Sequence, residues 1–238
     1  MKTFYFNIQS KGGAGKSMLT YLQALKHEKN EKTAFVDLDS STQTSTRQLH
    51  FLTQQEANRL FSVDIFDNLK KIEREKLYDV LQAFNAQPFD EIYIDFGAPE
   101  SEQLPSLFSL DFSIDEFKEF EKELKAKFVF NVILCGGTSY ASTFDYLKKL
   151  TEIVKGKFEI VMYLNELTFQ NYNLLIDELN EFAKKAKGYI SKVVRFGDIH
   201  VDRNSGQIIT ENIRNGMGFI GYNSFAAKTI IKREMTKI

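Results

Sequence analysis

The chain has 238 residues, a formal net charge of −1 and a pI of about 6.4. This balance excludes a protein whose whole surface is adapted to nucleic acid or to an anionic membrane, although a local basic patch is compatible with it. The single cysteine, Cys135, excludes a disulfide within the chain and a cysteine-based metal cluster.

The length is sufficient for one α/β domain over 1–238, and no linker-like segment divides it. The first apolar run is too short for a signal peptide, and no cleavage site follows it. No segment reaches the roughly 18–20 apolar residues of a membrane-spanning helix. We therefore expect a cytoplasmic protein.

Short apolar runs alternate with longer amphipathic segments along the chain. In chain order they predict a strand at Phe4–Gln9, a helix through Met18–Leu25, a strand at Thr33–Asp37, helices at Gln54–Phe61 and Asp67–Asn85, a strand at Glu91–Asp95, a helix at Ile114–Lys127, a strand at Phe128–Cys135, a helix at Thr143–Lys155, a strand at Phe158–Leu164, a helix at Tyr172–Lys187, a strand at Tyr189–Val194 and a helix at Asn223–Met235. Such alternation predicts an α/β fold, with a mostly parallel sheet and helices on both faces. Ligands of such sheets bind beyond the carboxyl ends of the strands.

A glycine-rich segment, Lys11-Gly12-Gly13-Ala14-Gly15-Lys16-Ser17, joins the first predicted strand to the first helix. Glycines let the backbone approach a phosphate closely, and loop N–H groups together with a helix N-terminus attract anions. In this role Lys16 would contact the β- and γ-phosphates of a nucleotide, and Ser17 would ligate Mg²⁺. The common P-loop form GxxxxGK[ST] requires glycine where this chain has Ser10, so the match is to the variant KGGxGK[ST]. The alternative is a glycine-rich turn that carries unrelated lysines.

KGGAGKS resembles the deviant Walker A motif of the ParA/MinD group of P-loop ATPases. The resemblance implies that ATP and Mg²⁺ are the cofactors and that the ATP-bound protein is a homodimer. It also implies that Lys11 reaches the partner's nucleotide and acts there as an arginine finger does. From the residues alone, Lys11 is equally a solvated loop lysine. The nucleotide contacts expected on this basis are Lys11, Gly12, Gly13, Ala14, Gly15, Lys16, Ser17 and Met18.

The second predicted strand ends in Asp37-Leu38-Asp39. The resemblance implies that Asp39 is associated with the attacking water and that Asp37 lies near Mg²⁺. Lys11, Lys16 and Asp39 are therefore the expected catalytic residues. The family continues with Pro-Gln, whereas this chain has Ser40-Ser41-Thr42-Gln43, which leaves the rate of hydrolysis open. In the alternative interpretation, Asp39, Ser40 or Ser41 caps a following helix.

Two further strand ends carry polar residues. Asp95 ends the third predicted strand, where the resemblance implies a Walker B aspartate that holds Mg²⁺ together with Ser17 and Asp37. Asn165 follows the fifth predicted strand, where the resemblance implies a contact with adenine. Each also fits an ordinary strand-ending turn residue.

The segment from Phe128 to Phe169 resembles the TraL/StbB-type branch of ParA-like ATPases, which conjugative and mobilisable plasmids encode. The shared features are Gly136-Gly137 after a strand, Thr143-Phe144-Asp145 at a helix start, and Asn165-Glu166. Cys135 precedes the glycines, and we interpret it as a buried core residue.

The C-terminal segment carries Lys228, Lys232, Arg233 and Lys237 among apolar residues. It fits a packed closing helix, a surface for non-specific DNA, or, less well, a membrane-binding helix. A second basic cluster comprises Lys184, Lys185, Lys187, Lys192 and Arg195.

The resemblance as a whole implies a slow ATPase that partitions or positions DNA through an adaptor protein of the ParB-like kind, in association with the nucleoid. One alternative is an accessory ATPase of conjugative transfer. Another is a nucleotide-dependent binding module with negligible hydrolysis. A metabolic enzyme of the dethiobiotin-synthetase type fits less well, because the chain has the leading lysine and no evident small-substrate motif.

Overall fold

The computed structural model describes residues 1–39, 43–55, 57–67 and 72–238. Within them, seven strands form one sheet: β1 (Lys2–Ile8), β2 (Thr33–Asp37), β3 (Leu60–Ser62), β4 (Glu91–Asp95), β5 (Ala126–Leu134), β6 (Glu159–Asn165) and β7 (Ile190–Phe196). The strand order is β3-β2-β4-β1-β5-β6-β7, and every pairing is parallel. The predicted parallel α/β sheet is confirmed.

The α-helices of the same residues are α1 (Lys16–Lys26), α2 (Thr44–Gln48), α3 (Lys76–Asn85), α4 (Ala98–Ser106), α5 (Ile114–Glu123), α6 (Tyr140–Val154), α7 (Glu166–Phe169), α8 (Asn173–Lys185), α9 (Asn204–Asn215) and α10 (Phe225–Lys237). Short 3-10 helices occupy His50–Gln54, Gly137–Ser139 and Phe219–Gly221, and one π-helical turn spans Leu107–Asp111.

Apolar side chains cover both faces of the sheet, because alternate residues of each strand point to opposite sides. One face packs Phe4 and Phe6 against Phe128 and Phe130, beneath α3, α5, α6 and α8. The other face packs under α1, α9 and α10. Among the described residues, most of the largest fully buried side chains are phenylalanines.

The predicted helix Gln54–Phe61 is wrong: a 3-10 helix ends at Gln54, and β3 begins at Leu60. The side chain of Arg59 explains the path of the backbone here. It is fully buried, and its guanidinium donates to the carbonyl oxygens of His27 and Asn30 at 3.1 and 2.8 Å. Helical periodicity does not reveal an arginine that holds a turn together through tertiary contacts.

Other boundaries also differ from the prediction. The helix predicted over Asp67–Asn85 begins at Lys76, and residues 68–71 lie outside the described part of the chain. The helix predicted to continue to Lys127 ends at Glu123, because Lys125 adopts a φ of 50° and β5 starts directly afterwards. Helices α4, α7 and α9 were not predicted, and α2 was considered only as a possible helix after Asp39. Pro99 lies in the first turn of α4, where proline is well tolerated.

The central strand β1 positions the candidate site. Its residue Asn7 is in register with Asp95 of β4, which in turn is in register with Asp37 of β2. The carboxyl ends of these three adjacent strands therefore meet at one edge of the sheet, where the glycine-rich segment leaves β1.

Candidate functional site

The glycine-rich segment forms a tight loop between β1 and α1. Gly13 and Gly15 have φ values of 74° and 105°, and α1 begins immediately afterwards at Lys16. A Cβ on Gly15 would lie 2.5 Å from Nδ2 of Asn165, so this position accommodates only glycine. The loop thus presents its backbone and the start of α1 toward the same opening, which is the arrangement that binds anions.

The side chain of Lys16 is buried in the loop. Its Nζ donates to the carbonyl oxygen of Gln9 at 2.9 Å. Burial lowers the pKa of Lys16, and the nearby Asp95 and Asp39 oppose that shift. A phosphate would give this ammonium group charged acceptors, which form stronger hydrogen bonds than a neutral carbonyl does. Lys11 is exposed at the start of the loop.

The carboxylate of Asp95 is almost fully buried at the end of β4. Its Oδ2 accepts hydrogen bonds from Ser17 Oγ, at 2.8 Å, and from Ser45 Oγ. Its Oδ1 has no hydrogen-bond partner among the described residues. Burial raises the pKa of Asp95 to about 7, although the hydrogen bond from Ser45 and the charge of Lys16 act in the opposite direction.

Asp95 and Ser17 fit a magnesium ion. Both supply oxygen donors, and the buried, unpartnered Oδ1 of Asp95 needs a cation or a bound water. The described residues contain no cluster of three or more His, Cys, Asp or Glu side chains that could hold a metal by themselves. Mg²⁺ is commonly bound in this way, through one or two protein oxygens together with phosphates of the substrate.

Asp37 lies beside Asp95 but is differently engaged. Its Oδ1 accepts from the backbone N–H of Asp39 at 3.1 Å. Its Oδ2 accepts from the backbone N–H and the hydroxyl of Thr46 at 2.6 and 2.8 Å. Burial raises its pKa, against the effect of these hydrogen bonds. Asp37 therefore caps the first turn of α2 across space, a role that the sequence suggested for Asp39, Ser40 or Ser41; the two serines lie outside the described residues.

Asp39 faces an open cleft beside the loop. The cleft has a volume of about 460 Å³, and its walls comprise Gly12, Gly13, Ala14, Gly15, Lys16, Ser17, Met18, Asp39, Thr44, Gln48, Ala98 and Pro99. Ligand pockets are typically about 300–1,000 Å³, so the cleft has the size of a small-molecule site. The structure thus places Asp39 opposite the predicted phosphate loop, where it can reach a bound ligand.

Asn165 supports the loop from behind. It is buried at the end of β6, and its Nδ2 donates to the carbonyl oxygen of Ala14 at 2.9 Å. The thiol of Cys135 donates to the same oxygen at 3.2 Å, and burial raises the thiol pKa to about 11. The interpretation of Cys135 as a buried core residue is confirmed. The Oδ1 of Asn165 has no hydrogen-bond partner among the described residues, so the predicted contact with adenine stays a prediction.

Sequence reasoning missed several residues that hold the site. Ser45 and Thr46 bind the two strand-end aspartates, and Gln9 binds Lys16. The sequence signal available was the cluster of hydroxyl residues after Asp39, whose first members we interpreted as a departure from the family pattern or as a helix cap. The spacing of residues in the sequence does not identify which strand-end aspartate a given hydroxyl contacts.

The basic C-terminal segment is packed rather than free. Arg233 pairs with Asp198 at 3.1 Å, and Lys237 pairs with Glu166 at 2.7 Å. The buried carboxylate of Glu234 accepts from the backbone N–H of Gly197 at 2.8 Å. These contacts favour a closing helix with a partly solvated basic face. Among the described residues, no helix is long and apolar enough to cross a membrane.

Solved structures share this architecture. The MinD cell division protein of Aquifex aeolicus aligns over 99% of this chain and 95% of its own, with a TM-score of 0.53 and 14% identity. The chain has the MinD fold. The MinC:MinD complex of the same organism gives a TM-score of 0.54 at 11% identity, with 99% and 95% of the two chains covered.

A nucleotide-binding protein from Archaeoglobus fulgidus, solved in complex with ADP, aligns over 93% of this chain and 88% of its own. Its TM-score is 0.51 and its identity 13%. No protein-family model matches the sequence, and no curated protein matches it significantly. At such identities the comparison establishes the fold, while the chemistry has to be argued from the site.

Proposed function

We propose that this protein binds Mg·ATP and hydrolyses it slowly, as an ATPase of the ParA/MinD kind. The observation that carries the proposal is the cleft in which the glycine loop, buried Lys16 and Asp39 face one another, beside the Ser17–Asp95 pair. The MinD fold supports it, because a solved relative in that fold is a complex with ADP.

Each residue has a distinct role in this proposal. The backbone of Gly12 to Met18 holds the phosphates, and Lys16 neutralises their charge. Ser17 and Asp95 hold Mg²⁺, with Asp37 close by, and the metal neutralises charge on the phosphates. Asp39 orients the attacking water, and Asn165 contacts the base.

The exposed position of Lys11 supports a role in a dimer. In the proposal, the ATP-bound protein is a homodimer, and each Lys11 places its charge on the partner's nucleotide. The dimer positions plasmid or chromosomal DNA in the cytoplasm through a ParB-like adaptor, with non-specific DNA bound by basic residues near the C-terminus. We also propose that 1–238 is one functional domain.

The segment Ser40–Gln43 favours a second candidate, a nucleotide-dependent binding module with negligible hydrolysis, because it lacks the Pro-Gln that follows Asp39 in the family. The role in conjugative transfer stays a prediction from the sequence. The ATPase and the binding module have the same nucleotide site and differ in whether the bound nucleotide is hydrolysed.

The proposed ATP hydrolysis is tested by measuring phosphate release by wild type, Asp39→Ala and Lys16→Ala. Binding of a labelled ATP analogue is measured in parallel. We expect Lys16→Ala to lose binding and Asp39→Ala to bind but release less phosphate. Equal release by wild type and Asp39→Ala would favour the binding module. Failure of wild type to bind ATP would refute both candidates.

Sedimentation with ATP or ADP, for wild type and Lys11→Ala, tests the dimer. Duplex DNA binding over a salt series then tests the cargo: we expect binding with ATP that weakens as salt rises. DNA binding that does not depend on the nucleotide, or its absence in every state, would contradict the DNA-positioning role.

A further inference from the structure

Helix α2 is attached at its start to the two strand-end aspartates. The hydroxyl of Ser45, which is 1% exposed, donates to Asp95 Oδ2. The next residue, Thr46, donates to Asp37 Oδ2 through both its backbone and its hydroxyl. A helix of five residues has little stability of its own, so its position depends on contacts such as these and on its packing against α1 and α9.

The opposite end of α2 packs against a second segment, which we call the glycine loop Gly216–Gly221. A Cβ on Gly216 would lie 2.5 Å from the carbonyl oxygen of Arg47, and one on Gly218 would lie 2.7 Å from the ring of Phe51. At these two glycines the loop approaches α2 and the 3-10 helix that follows it too closely for a side chain to lie between them. A shift of α2 must therefore displace the glycine loop or open a gap in a packed interface.

The glycine loop is anchored on its other side. Asn212 Nδ2 donates to the carbonyl oxygen of Gly218 at 2.8 Å and to the hydroxyl of Tyr21 at 3.1 Å. The loop nevertheless exposes two bulky apolar side chains, Met217 at 50% and Ile220 at 84%. It is therefore a surface loop with exposed apolar side chains that also contacts the interior, and α2 is one of the elements it contacts.

We propose that Ser45 is a positioning residue that couples occupancy of the Asp95 site to the glycine loop Gly216–Gly221. The coupling rests on the proposed function, because the ligand that fills the site is Mg·nucleotide. Asp95 Oδ2 is shared by Ser17 and Ser45. When the Ser17 hydroxyl turns to the metal, the Ser45 hydroxyl is the remaining donor of the two to Asp95 Oδ2. The hydrogen bond from Ser45 then holds α2 more firmly. The glycine loop that packs against α2 therefore opens less often.

The coupling is a difference in free energy between two states, so it must appear as a change in loop opening when the site fills. Hydrogen exchange measures that opening without any probe at the site. We would follow peptides covering residues 43–52 and 212–222 in the full chain, without ligand and with Mg²⁺ plus a non-hydrolysable ATP analogue.

We expect wild type to show slower exchange in both peptides when the analogue is bound. A hydrogen bond to a charged acceptor contributes enough that the loss of Ser45's hydroxyl should reduce the protection of 212–222 about fivefold or more. Ser45→Ala is compared at saturating analogue, since its affinity also falls. Ser45→Thr keeps the hydroxyl and should restore the protection.

Ser142→Ala is the control, because it removes an exposed serine hydroxyl that donates to the carbonyl oxygen of Ser139 and not to a strand-end aspartate. We expect it to behave as wild type. Binding of the analogue with unchanged exchange in 212–222 would overturn the coupling and leave the nucleotide site standing. Equal protection in wild type and Ser45→Ala would show that Ser45 is not the positioning residue. No binding of the analogue to wild type would overturn both proposals.

Discussion

The ends of β2 and β4 look alike in sequence and differ in the folded protein. Each strand is a short apolar run that ends in an aspartate, and the two aspartates are in register. Both oxygens of Asp37 already accept hydrogen bonds from residues 39 and 46. Asp95 accepts two hydroxyl hydrogen bonds on Oδ2, whereas its Oδ1 has no hydrogen-bond partner among the described residues.

The difference separates an aspartate that shapes the site from one that can bind a ligand. Each carboxylate is desolvated, so each needs partners to offset the cost of burial. Asp37 obtains them from the protein, whereas Asp95 retains an oxygen that a cation or a water has to satisfy. The resemblance to the family had given both aspartates a place at the metal.

The largest expected effect is on metal dependence. Asp95→Asn should reduce the enhancement of ATP-analogue binding by Mg²⁺ at least about 100-fold, because loss of even an indirect partner of a metal commonly costs 10–100-fold. Asp37→Asn should retain most of the enhancement. Titrations with Mg²⁺ and with a chelator measure it. An equal loss in the two variants would erase the distinction between them.

The stability of the ligand-free protein should show the opposite ranking, with a larger loss for Asp37→Asn than for Asp95→Asn. Asp37→Asn weakens hydrogen bonds to a charged acceptor at the start of α2, which should lower the free energy of unfolding by about 1–3 kcal/mol. Urea unfolding without ligand measures this, and Asp145→Asn, on the exposed face of α6, is the control. An unfolding free energy equal to that of wild type would mean that the cap contributes little.

The pH dependence provides a third test. Burial raises the pKa of Asp95 to about 7, and only its ionised form binds a cation well. Affinity for Mg²⁺ with the analogue should therefore increase up to about tenfold per pH unit below pH 7 and level off above it.

The stability of the ligand-free protein should change in the other direction. Between the ordinary aspartate pKa and about 7, the folded state holds a proton on Asp95 that the unfolded state has released. The free energy of unfolding should therefore decrease as pH rises through that window, and Asp95→Asn should reduce the decrease. A binding profile without any pH dependence between about pH 6 and 8 would contradict this account of Asp95.

The smallest effect concerns the support behind the loop. Asn165→Ala removes a neutral hydrogen bond to Ala14, which should weaken binding by about fivefold. Comparing ATP with GTP distinguishes the two roles of Asn165. If Asn165 only supports the loop, the substitution should weaken the binding of ATP and of GTP equally. If Asn165 also contacts adenine, the preference for ATP over GTP should fall. Cys135→Ala, which removes a weaker donor to the same oxygen, is the matched control.

The sequence by itself determined the fold class and the position of the glycine-rich loop between the first strand and the first helix. Both depend on local patterns: apolar runs of strand length, and glycines followed by Lys16 and Ser17 at a helix start. The sequence also indicated that Asp39 and Asp95 lie near this loop, because residues at the carboxyl ends of parallel strands meet at one edge. Their roles were implied by the resemblance to the family and stay predictions.

Only the tertiary structure decided which groups donate hydrogen bonds to the two strand-end aspartates. The hydroxyls of Ser45 and Thr46 reach them through a short helix whose position depends on contacts that are distant in sequence. The same holds for Arg59, whose buried guanidinium overrides the helical pattern around it. Hydrogen bonds between segments depend on where the fold places each donor, and that placement leaves no periodic signal in the chain.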